Sequence, residues 1–459
     1  MGAITPPLDL DEGAALRASN GNVADSNTFL VWLDAERGIP GECVIVAGVD
    51  KGGAHVISEH GVESRCLKRY DMASRKAKAL TTTNFFGREL VGPTFVFDGR
   101  EDGRLVGLVW RSPNGIETEW RDASIAEIAK RLKKELGANG VDFLCHSPTN
   151  VRHWIVMARF CDKPPTWLSV DAETQKWRVL QEFGNGIRPT RRKTFQYAAS
   201  DGISLCAVFT RPEGTGPFPL VVFPHGGPGA ITTTDFDERV WALCDAGFAV
   251  FQPNYRGSAG FGKKFRFDGW GAKGIKRAML DIKEGVDTVR RNRDCRIADC
   301  RPALLGGSWG GYCALEQLAM FPGYYAGAVS FFGAFDLPAL LEGEIKKTSA
   351  SDTREATIER MSLVRQFGNP DNADDVTALA SISPVNQLNC IAEPVVLFHN
   401  RKDKVIPFSQ SERLYSAMTN KAIQVEFRVG QGDHGFLPDE EAAIYEMLIP
   451  KLRQWSSVP

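Results

Sequence analysis

A serine surrounded by glycines is the residue of this chain with the clearest chemical potential. Ser308 lies in Gly306-Gly-Ser-Trp-Gly-Gly-Tyr, which matches the pattern G-x-S-x-G. The segment follows the apolar run Ala303-Leu-Leu and precedes a predicted helix, the context in which this pattern forms a nucleophile elbow. The turn is so tight that it needs small neighbours, and it exposes the hydroxyl at a helix N-terminus. Ser308 is the predicted nucleophile; the alternative is a glycine-rich turn with an incidental serine.

A nucleophilic serine needs a general base, which in the strand–elbow–helix arrangement follows both the serine and an acid along the chain. Only His399 and His434 follow Ser308. His434 lies in the glycine-rich loop Gly430-Gln-Gly-Asp-His-Gly-Phe, which is suited to presenting an imidazole. His399 ends an apolar run and is predicted to form structural hydrogen bonds. His434 is therefore the predicted base.

The acid is predicted to be Asp403, which follows the apolar run Val395-Val-Leu-Phe in a turn. Asp433 is the alternative, but a side chain adjacent in sequence to His434 is poorly placed to hold the Nδ1–H of its ring. With this assignment His434 takes the proton of Ser308, and Asp403 fixes the tautomer and stabilises the imidazolium. The predicted reaction is acyl transfer through an acyl-enzyme.

The tetrahedral intermediate of acyl transfer needs preorganised N–H donors for its oxyanion. The amide of Trp309, directly after the nucleophile, is one predicted donor. The amide of Gly227 is the other, since it lies in Pro224-His-Gly-Gly-Pro-Gly, where glycines let the backbone approach a substrate carbonyl closely. A structural role is predicted for His225 in the same segment.

The elements that position these residues are predicted to form an α/β-hydrolase domain over residues 191–459. Apolar runs alternate there with longer helical patterns, and runs that are continuously apolar are typical of strands covered by helices on both faces. The sheet should be doubly wound and mostly parallel. The predicted strands begin at Leu220, Ala249, Ala303, Ala328, Val395 and Val425.

Residues 26–190 are predicted to form a mainly β domain, because short alternating runs are separated there by turn residues. The clearest unit comprises four runs and resembles one blade of a β-propeller. No crisp period repeats across the region. The four runs begin at Asp142, His153, Thr166 and Lys176, and further runs begin at Thr28, Cys43, Thr94 and Leu105.

One helix is predicted to interrupt this domain, where apolar residues recur at helical spacing from Ile125 to Leu136. Its cap is either Asp122 or Ser124, and with Ser124 the side chain of Glu127 would complete a capping box. The basic stretch that begins at Arg188 is interpreted as the domain boundary, and residues 1–25 as a flexible arm.

Length and charge limit the possible partners. A chain of 459 residues is too long for one ordinary core, so two domains are expected. A formal net charge of -1 favours neither nucleic acid nor anionic lipid as a partner. The start of the sequence has no secretory pattern, and no continuous apolar run is long enough for a membrane span. A cytoplasmic location is predicted.

No cofactor or metal is predicted. The ten cysteines include no C-x-x-C pair, and no H-E-x-x-H is present. Gly269-Trp-Gly-Ala-Lys-Gly fits the dinucleotide pattern G-x-G-x-x-G, but no parallel strand leads into it and no ribose-binding acid is evident.

Taken together, several segments resemble the prolyl oligopeptidase family of serine peptidases, most closely its acylaminoacyl-peptidase-like branch. The resemblance implies the same catalytic trio, Ser308, Asp403 and His434, and the same two oxyanion amides. It also implies that Trp309, Tyr312, Phe332 and Phe335 wall the pocket for the acyl-side residue; ordinary core packing is the alternative. The segments begin at Tyr197, Pro224, Asn254, Gly306, Lys402 and Gly432.

Members of that family usually carry a seven-bladed propeller that admits only short peptides. The N-terminal region here has room for about four blades of 40–45 residues each, so the resemblance implies an incomplete, propeller-like cap. The predicted function is a serine hydrolase, foremost a peptidase on short or N-blocked peptides. The alternatives are an esterase, amidase, acyltransferase or cyclase that acts on a small metabolite with the same triad, and a non-catalytic binding module. The partner is a small peptide or other acyl substrate, and a homo-oligomer is possible.

Overall fold

The structure is a computed structural model, and the chain divides in it into two compact units. One unit comprises Met1–Gly184, Gly260–Lys264 and Asp352–Ser362, and the other comprises Asn185–Ala259, Phe265–Ser351 and Leu363–Pro459. The predicted arm, residues 1–25, lies outside the described residues. The structure describes residues 29–31, 43–50, 53–58, 66–71, 76–80, 89–96, 104–147, 150–184, 187–351 and 353–456.

Short antiparallel strands make the described part of the first unit mainly β. They are β1 (Phe29–Val31), β2 (Cys43–Asp50), β3 (Gly53–Ser58), β4 (Cys66–Asp71), β5 (Lys76–Ala79), β6 (Glu89–Val96), β7 (Arg104–Ser112), β8 (Gly115–Trp120), β9 (Gly140–Ser147), β10 (Asn150–Arg159), β11 (Thr166–Asp171) and β12 (Lys176–Gln181). Three sheets result, with the strand orders β1-β2-β3-β4-β5, β6-β7-β8 and β12-β11-β10-β9.

The four-stranded sheet is the unit that the sequence pattern predicted as one blade. Each of its strands pairs with the next one along the chain, so β9 to β12 form a meander. Alternate residues of β11 are buried, which is the period of two expected when one face of a strand packs against a core. The mainly β, incomplete-propeller-like class predicted for this region is confirmed.

The predicted helix is α1 (Ala123–Leu136), and its first turn decides between the two possible caps. The carboxylate of Asp122 accepts hydrogen bonds from the amides of Ser124 and Ile125, at 3.0 and 3.1 Å. The alternative cap, Ser124, is wrong, and Glu127 therefore lies beyond the capping-box position. The helix buries Ile125, Ile128, Ala129 and Leu132.

An eight-stranded sheet forms the second unit. Its strands are β13 (Thr190–Ala198), β14 (Ser204–Pro212), β15 (Leu220–Val222), β16 (Ala249–Asn254), β17 (Ala303–Gly307), β18 (Gly327–Phe331), β19 (Val395–Asn400) and β20 (Val425–Gly430). The spatial order is β13-β14-β16-β15-β17-β18-β19-β20. The pairs β13–β14 and β14–β16 are antiparallel, and all others are parallel. The six predicted strands are all present, and the α/β-hydrolase class is confirmed.

The basic stretch interpreted as a boundary is mostly part of a strand. From Thr190 onward it forms the first half of β13, at the edge of the large sheet, and the second compact unit already begins at Asn185. The alternation of buried and exposed residues that is typical of a strand is not recognisable in the basic stretch, because the buried side chains Phe195 and Tyr197 come only at the end of the strand.

Helices on both faces bury the central strands, since every residue of β15, β16, β18 and β19 is buried. Within the described residues, none of the helices is long and apolar enough to cross a membrane. Beyond α1 they are α2 (Glu238–Asp245), α3 (Lys263–Phe267), α4 (Gly271–Arg291), α5 (Trp309–Met320), α6 (Leu337–Ser349), α7 (Arg354–Phe367), α8 (Ala373–Ala380), α9 (Ser409–Asn420) and α10 (Pro438–Trp455).

Candidate active site

Ser308 lies on the turn between β17 and α5, as the pattern G-x-S-x-G requires. Its backbone has φ 56° and ψ −125°, a conformation that non-glycine residues seldom adopt because it is strained. Its amide donates a hydrogen bond to the carbonyl of Phe331 on the neighbouring strand β18, at 2.7 Å. The sheet therefore holds the strained turn in place.

The glycines around Ser308 allow backbone segments to approach each other closely. A Cβ atom on Gly306 would overlap the carbonyl oxygen of Gly310, and one on Gly310 would overlap the carbonyl oxygen of Pro224. A Cβ on Gly311 would overlap the Oγ of Ser330. The motif therefore needs glycine at these positions for space.

We expect Gly310→Ala to destabilise the fold by about 2 kcal/mol or more, since the added methyl meets main-chain atoms that cannot move aside. Gly343→Ala is the matched control, because Gly343 is exposed within α6 and nothing lies near its added Cβ. The control should be stabilised by up to about 1 kcal/mol, the helix-propensity difference between the two residues. Urea unfolding measures both changes, and a loss no larger in Gly310→Ala than in the control would contradict this account.

Asp403 and His434 come together from the loops that follow β19 and β20. The Nδ1 atom of His434 lies 2.7 Å from the Oδ2 atom of Asp403. The other carboxylate oxygen, Oδ1, accepts hydrogen bonds from the amides of Val405 and Ile406, each at 2.9 Å. Because the carboxylate can only accept, Nδ1 of His434 carries the proton, and Nε2 is left free to act as a base.

The carboxylate of Asp403 is ionised although its side chain is fully shielded from solvent. Burial on its own raises the pKa of Asp403, but hydrogen bonds from His399, from His434 and from two backbone amides outweigh burial and hold the pKa well below its usual range. An acid that stays negative at every working pH can stabilise an imidazolium without taking its proton.

Asp433, the alternative acid, faces the backbone instead of the imidazole. Its Oδ1 atom accepts hydrogen bonds from the amides of Lys404 and His434, at 3.0 and 2.9 Å. Its side chain is half exposed and pairs with the ammonium group of Lys404 at 3.4 Å. These contacts shape the loop that carries the base, and the geometry favours Asp403 as the acid.

The predicted oxyanion segment passes beside the nucleophile. A Cβ atom on Gly226 would lie 3.4 Å from the Cβ of Ser308 and 3.9 Å from its Oγ. Gly227, the next residue, has φ +121°, where an added Cβ would come within 2.6 Å of the amide nitrogen of Gly229. Trp309 is the first residue of α5, so its amide has no acceptor within the helix. Both positions fit the predicted oxyanion donors.

His225 anchors this segment, which agrees with its predicted structural role. Its Nδ1 atom lies 2.7 Å from the carbonyl of Gly226, and its Nε2 atom lies 2.8 Å from the hydroxyl of Ser258. Burial lowers the pKa of His225 to about 4, so the ring is neutral near pH 7. Tyr255 stacks on the ring and donates its hydroxyl to the His225 carbonyl at 2.8 Å.

Phe332 directly follows β18, the strand that supports the nucleophile, and its ring lies near the loop that carries the base. It directly follows Phe331, the residue that accepts the amide of Ser308, and its own amide donates to the carbonyl of Phe398 at 2.8 Å. Its ring centroid lies 5.7 Å from the imidazole of His434. A side chain in this position can contact both the base and a bound acyl group.

The four aromatic residues assigned to an acyl pocket differ in their surroundings. Tyr312 and Phe335 have no exposed surface, and the hydroxyl of Tyr312 donates to the carbonyl of Ile382 at 2.9 Å. Their environment favours core packing, the alternative left open by the sequence. Trp309 and Phe332 retain a small exposed fraction, and they remain the better candidates for a pocket wall.

An aromatic and cationic cluster beside Trp309 had no detectable signal in the sequence. The ring of Phe367 lies 5.6 Å from that of Trp309. The guanidinium of Arg365 lies 4.0 Å from the ring centroid of Phe267 and 5.4 Å from that of Trp270. These residues come from α3, the start of α4 and the end of α7, and only tertiary folding brings them together.

The fold and the site together define a protein of the α/β-hydrolase class with a serine at its nucleophile elbow. Residues 234–448 match the model of the prolyl oligopeptidase family. The resemblance to this family that was predicted from the sequence is thereby confirmed.

Two curated relatives illustrate the match. Dipeptidyl aminopeptidase BIII of Pseudoxanthomonas mexicana is 28% identical over 262 residues, which cover 53% of this chain and 35% of the relative. The acylamino-acid-releasing enzyme of Homo sapiens is 27% identical over 254 residues, which cover 54% of this chain and 32% of the relative. The chain thus spans about a third of the length of these relatives.

Solved structures match nearly the whole chain. A puromycin-hydrolysing peptidase of Mycobacterium tuberculosis superposes with a TM-score of 0.68 at 21% identity, covering 91% of this chain and 62% of that one. The acylaminoacyl peptidase of Pyrococcus horikoshii superposes with a TM-score of 0.68 at 17% identity, covering 90% of this chain and 63% of that one. At these identities the likeness concerns the fold.

Proposed function

We propose that this protein is a serine hydrolase that works through an acyl-enzyme on Ser308. His434 accepts the serine proton and later delivers it to the leaving group, while Asp403 holds the imidazole in the required tautomer. The amides of Gly227 and Trp309 stabilise the oxyanion of the tetrahedral intermediates. The observation that carries the proposal is the 2.7 Å contact between Asp403 and the Nδ1 atom of His434, which leaves Nε2 as a free base.

The proposed substrates are short or N-blocked peptides. The names of the relatives support this class, since they describe an acylamino-acid-releasing enzyme and a dipeptidyl aminopeptidase. Aromatic side chains beside the elbow, Trp309 and Phe332 among them, favour an apolar acyl-side residue. A triad of this kind also accepts esters, because an ester carbonyl is attacked in the same way and its alcohol leaves more readily than an amine, so an esterase is the second candidate.

A fluorophosphonate probe tests the proposal directly, since it labels a serine only when a neighbouring base activates it. We expect stoichiometric labelling of Ser308 in the folded protein, identified by peptide mass spectrometry, and no labelling after denaturation. Absence of labelling in the folded protein would contradict the proposed function and favour a non-catalytic binding module.

Parallel assays on an acyl-peptide anilide and a p-nitrophenyl ester then decide between the two enzymatic candidates. We expect turnover of the anilide with an apolar acyl-side residue. Turnover of the ester without measurable turnover of any anilide would overturn the peptidase assignment and leave the acyl-enzyme mechanism intact.

A further inference from the structure

A second histidine contacts the carboxylate of Asp403 from inside the fold. His399 is the fifth residue of β19 and has no exposed surface. Its Nε2 atom lies 2.9 Å from the carbonyl of Ile406 and 3.4 Å from Oδ2 of Asp403. The same Oδ2 atom accepts the hydrogen bond from His434. One carboxylate oxygen therefore faces two imidazoles, of which only one reaches the surface.

The hydrogen bonds of His399 fix its tautomer. The carbonyl of Ile406 can only accept, so Nε2 carries a proton. The hydroxyl of Ser411, buried in the first turn of α9, lies 2.7 Å from Nδ1 and donates to it when the ring is neutral. The Nε2–H group is therefore directed at the narrow space between the carbonyl of Ile406 and the carboxylate of Asp403.

We propose that His399 is a positioning residue for the acid: its Nε2–H holds Oδ2 of Asp403 in place for His434 and takes up part of the negative charge of that oxygen. The inference rests on the proposed function, because it assigns Asp403 and His434 their catalytic roles. Two consequences follow. The imidazole of His434 keeps its orientation, and Oδ2 attracts the positive charge of an imidazolium less strongly than a carboxylate oxygen without a second partner would.

Among the contacts of the described residues, the other charged side chains beside His434 are Asp433 and Lys404. The carboxylate of Asp433 bonds the amide of His434 and pairs with the ammonium of Lys404, and both of these groups are exposed to solvent. Phe332 faces both imidazoles, with ring centroids 5.7 Å from His434 and 6.1 Å from His399. These groups are unchanged by substitution at position 399, so the effect of His399 can be measured separately.

Three variants of His399 test the inference through the rate of fluorophosphonate labelling as a function of pH. The amide nitrogen of glutamine can occupy the place of Nε2, whereas that of asparagine occupies only the place of Nδ1 and does not reach Asp403. His399→Leu removes the Nε2–H donor altogether. Circular dichroism and thermal melting check the fold, and if His399→Leu fails to fold, the comparison of His399→Gln with His399→Asn still decides.

We expect His399→Asn and His399→Leu to be labelled about 10- to 100-fold more slowly, because the acid is no longer held in place. In a plot of labelling rate against pH, the fall in rate on the acidic side should occur at a pH higher by roughly 0.5 to 1 unit in these two variants. The reason is that the full charge of Oδ2 then acts on His434. We call this side of the plot the acid limb. His399→Gln should stay within about threefold of the natural protein, because it retains a donor.

Equal behaviour of His399→Asn and His399→Gln would overturn the inference, whether both match the natural protein or both are slowed without a shift of the acid limb. That outcome leaves the proposed function standing as long as the natural protein is labelled at Ser308. Failure of the natural protein to react would instead contradict the proposed function itself.

Discussion

Ser308→Ala is expected to abolish fluorophosphonate labelling and to lower kcat by on the order of 10⁶-fold, the loss typical of a triad that loses its nucleophile. The alanine side chain cannot form the acyl bond, and the remaining groups can only orient a water molecule. Substrate should still bind, because the amides of Gly227 and Trp309 and the neighbouring aromatic rings are unchanged. Rapid-quench assays for a covalent intermediate and steady-state assays on the preferred acyl-peptide measure the two effects.

Ser416→Ala is the matched control for this variant. Ser416 lies on the exposed side of α9, and its hydroxyl donates only to the carbonyl of Glu412, one turn earlier in the same helix. Labelling and turnover should remain at the level of the natural protein. Labelling that persists in Ser308→Ala would place the reactive nucleophile elsewhere and contradict the assignment.

The strained conformation of Ser308 adds a check on folding. At φ 56° an alanine is as unfavourable as a serine, so the substitution neither relieves nor adds backbone strain. The amide of residue 308 still donates to the carbonyl of Phe331, and the free energy of unfolding should change little. If Ser308→Ala loses activity while its free energy of unfolding is unchanged, the loss is due to the missing nucleophile and not to a change in folding.

The sequence predicted those parts of the site that local pattern controls. A buried strand such as β17 is continuously apolar, and close backbone contacts require the glycines of the elbow. Both features can therefore be recognised in the amino-acid sequence. The same reasoning located Asp403 and His434, because each follows an apolar strand of the sheet in a loop. In a parallel sheet the ends of such strands meet at one edge, which makes their side chains neighbours.

Other features depend on contacts that sequence order does not reveal. Arg188 and its neighbours were interpreted as a boundary, and from Thr190 onward they form an edge strand, whose exposed face can be as charged as a linker. His399 was predicted only to form structural hydrogen bonds, and its approach to Asp403 depends on how the loop after β19 folds back. The cluster of Phe267, Arg365 and Phe367 assembles from two helices, α3 and α7, whose pairing could not be predicted.

Asp403→Asn is expected to lower kcat by about 10⁴-fold, because the amide group reverses the hydrogen bonding at the acid. The oxygen of asparagine can still accept the amides of Val405 and Ile406, which places its NH₂ group where Oδ2 was. That NH₂ group then faces the N–H groups of both His434 and His399, donor against donor. His434 can restore a hydrogen bond only by moving its proton to Nε2, and in that tautomer it cannot accept the proton of Ser308.

Asp433→Asn is the matched control, and the comparison decides which residue is the acid. Asparagine at 433 still accepts the amides of Lys404 and His434 and loses only an exposed ion pair with Lys404, whose contribution is small. We expect turnover within a few-fold of the natural protein. A larger loss in Asp433→Asn than in Asp403→Asn would show that the acid has been assigned wrongly.

The pH dependence of the natural protein distinguishes the two members of the Asp–His pair. Since the pKa of Asp403 is held well below its usual range, its carboxylate remains ionised while the pH falls through the mildly acidic range. The loss of kcat/KM on acidification should therefore follow uptake of a single proton by a group other than Asp403, and the mechanism assigns that role to the general base. The stability that the ionised Asp403 provides is fully present above the pKa of an unfolded aspartate, about 3.9, and is lost only as the pH falls further through the folded value. Activity should consequently disappear at a higher pH than this contribution to stability, and coincident losses in kcat/KM and in thermal unfolding would contradict the assignment of Asp403 as a permanently charged partner of His434.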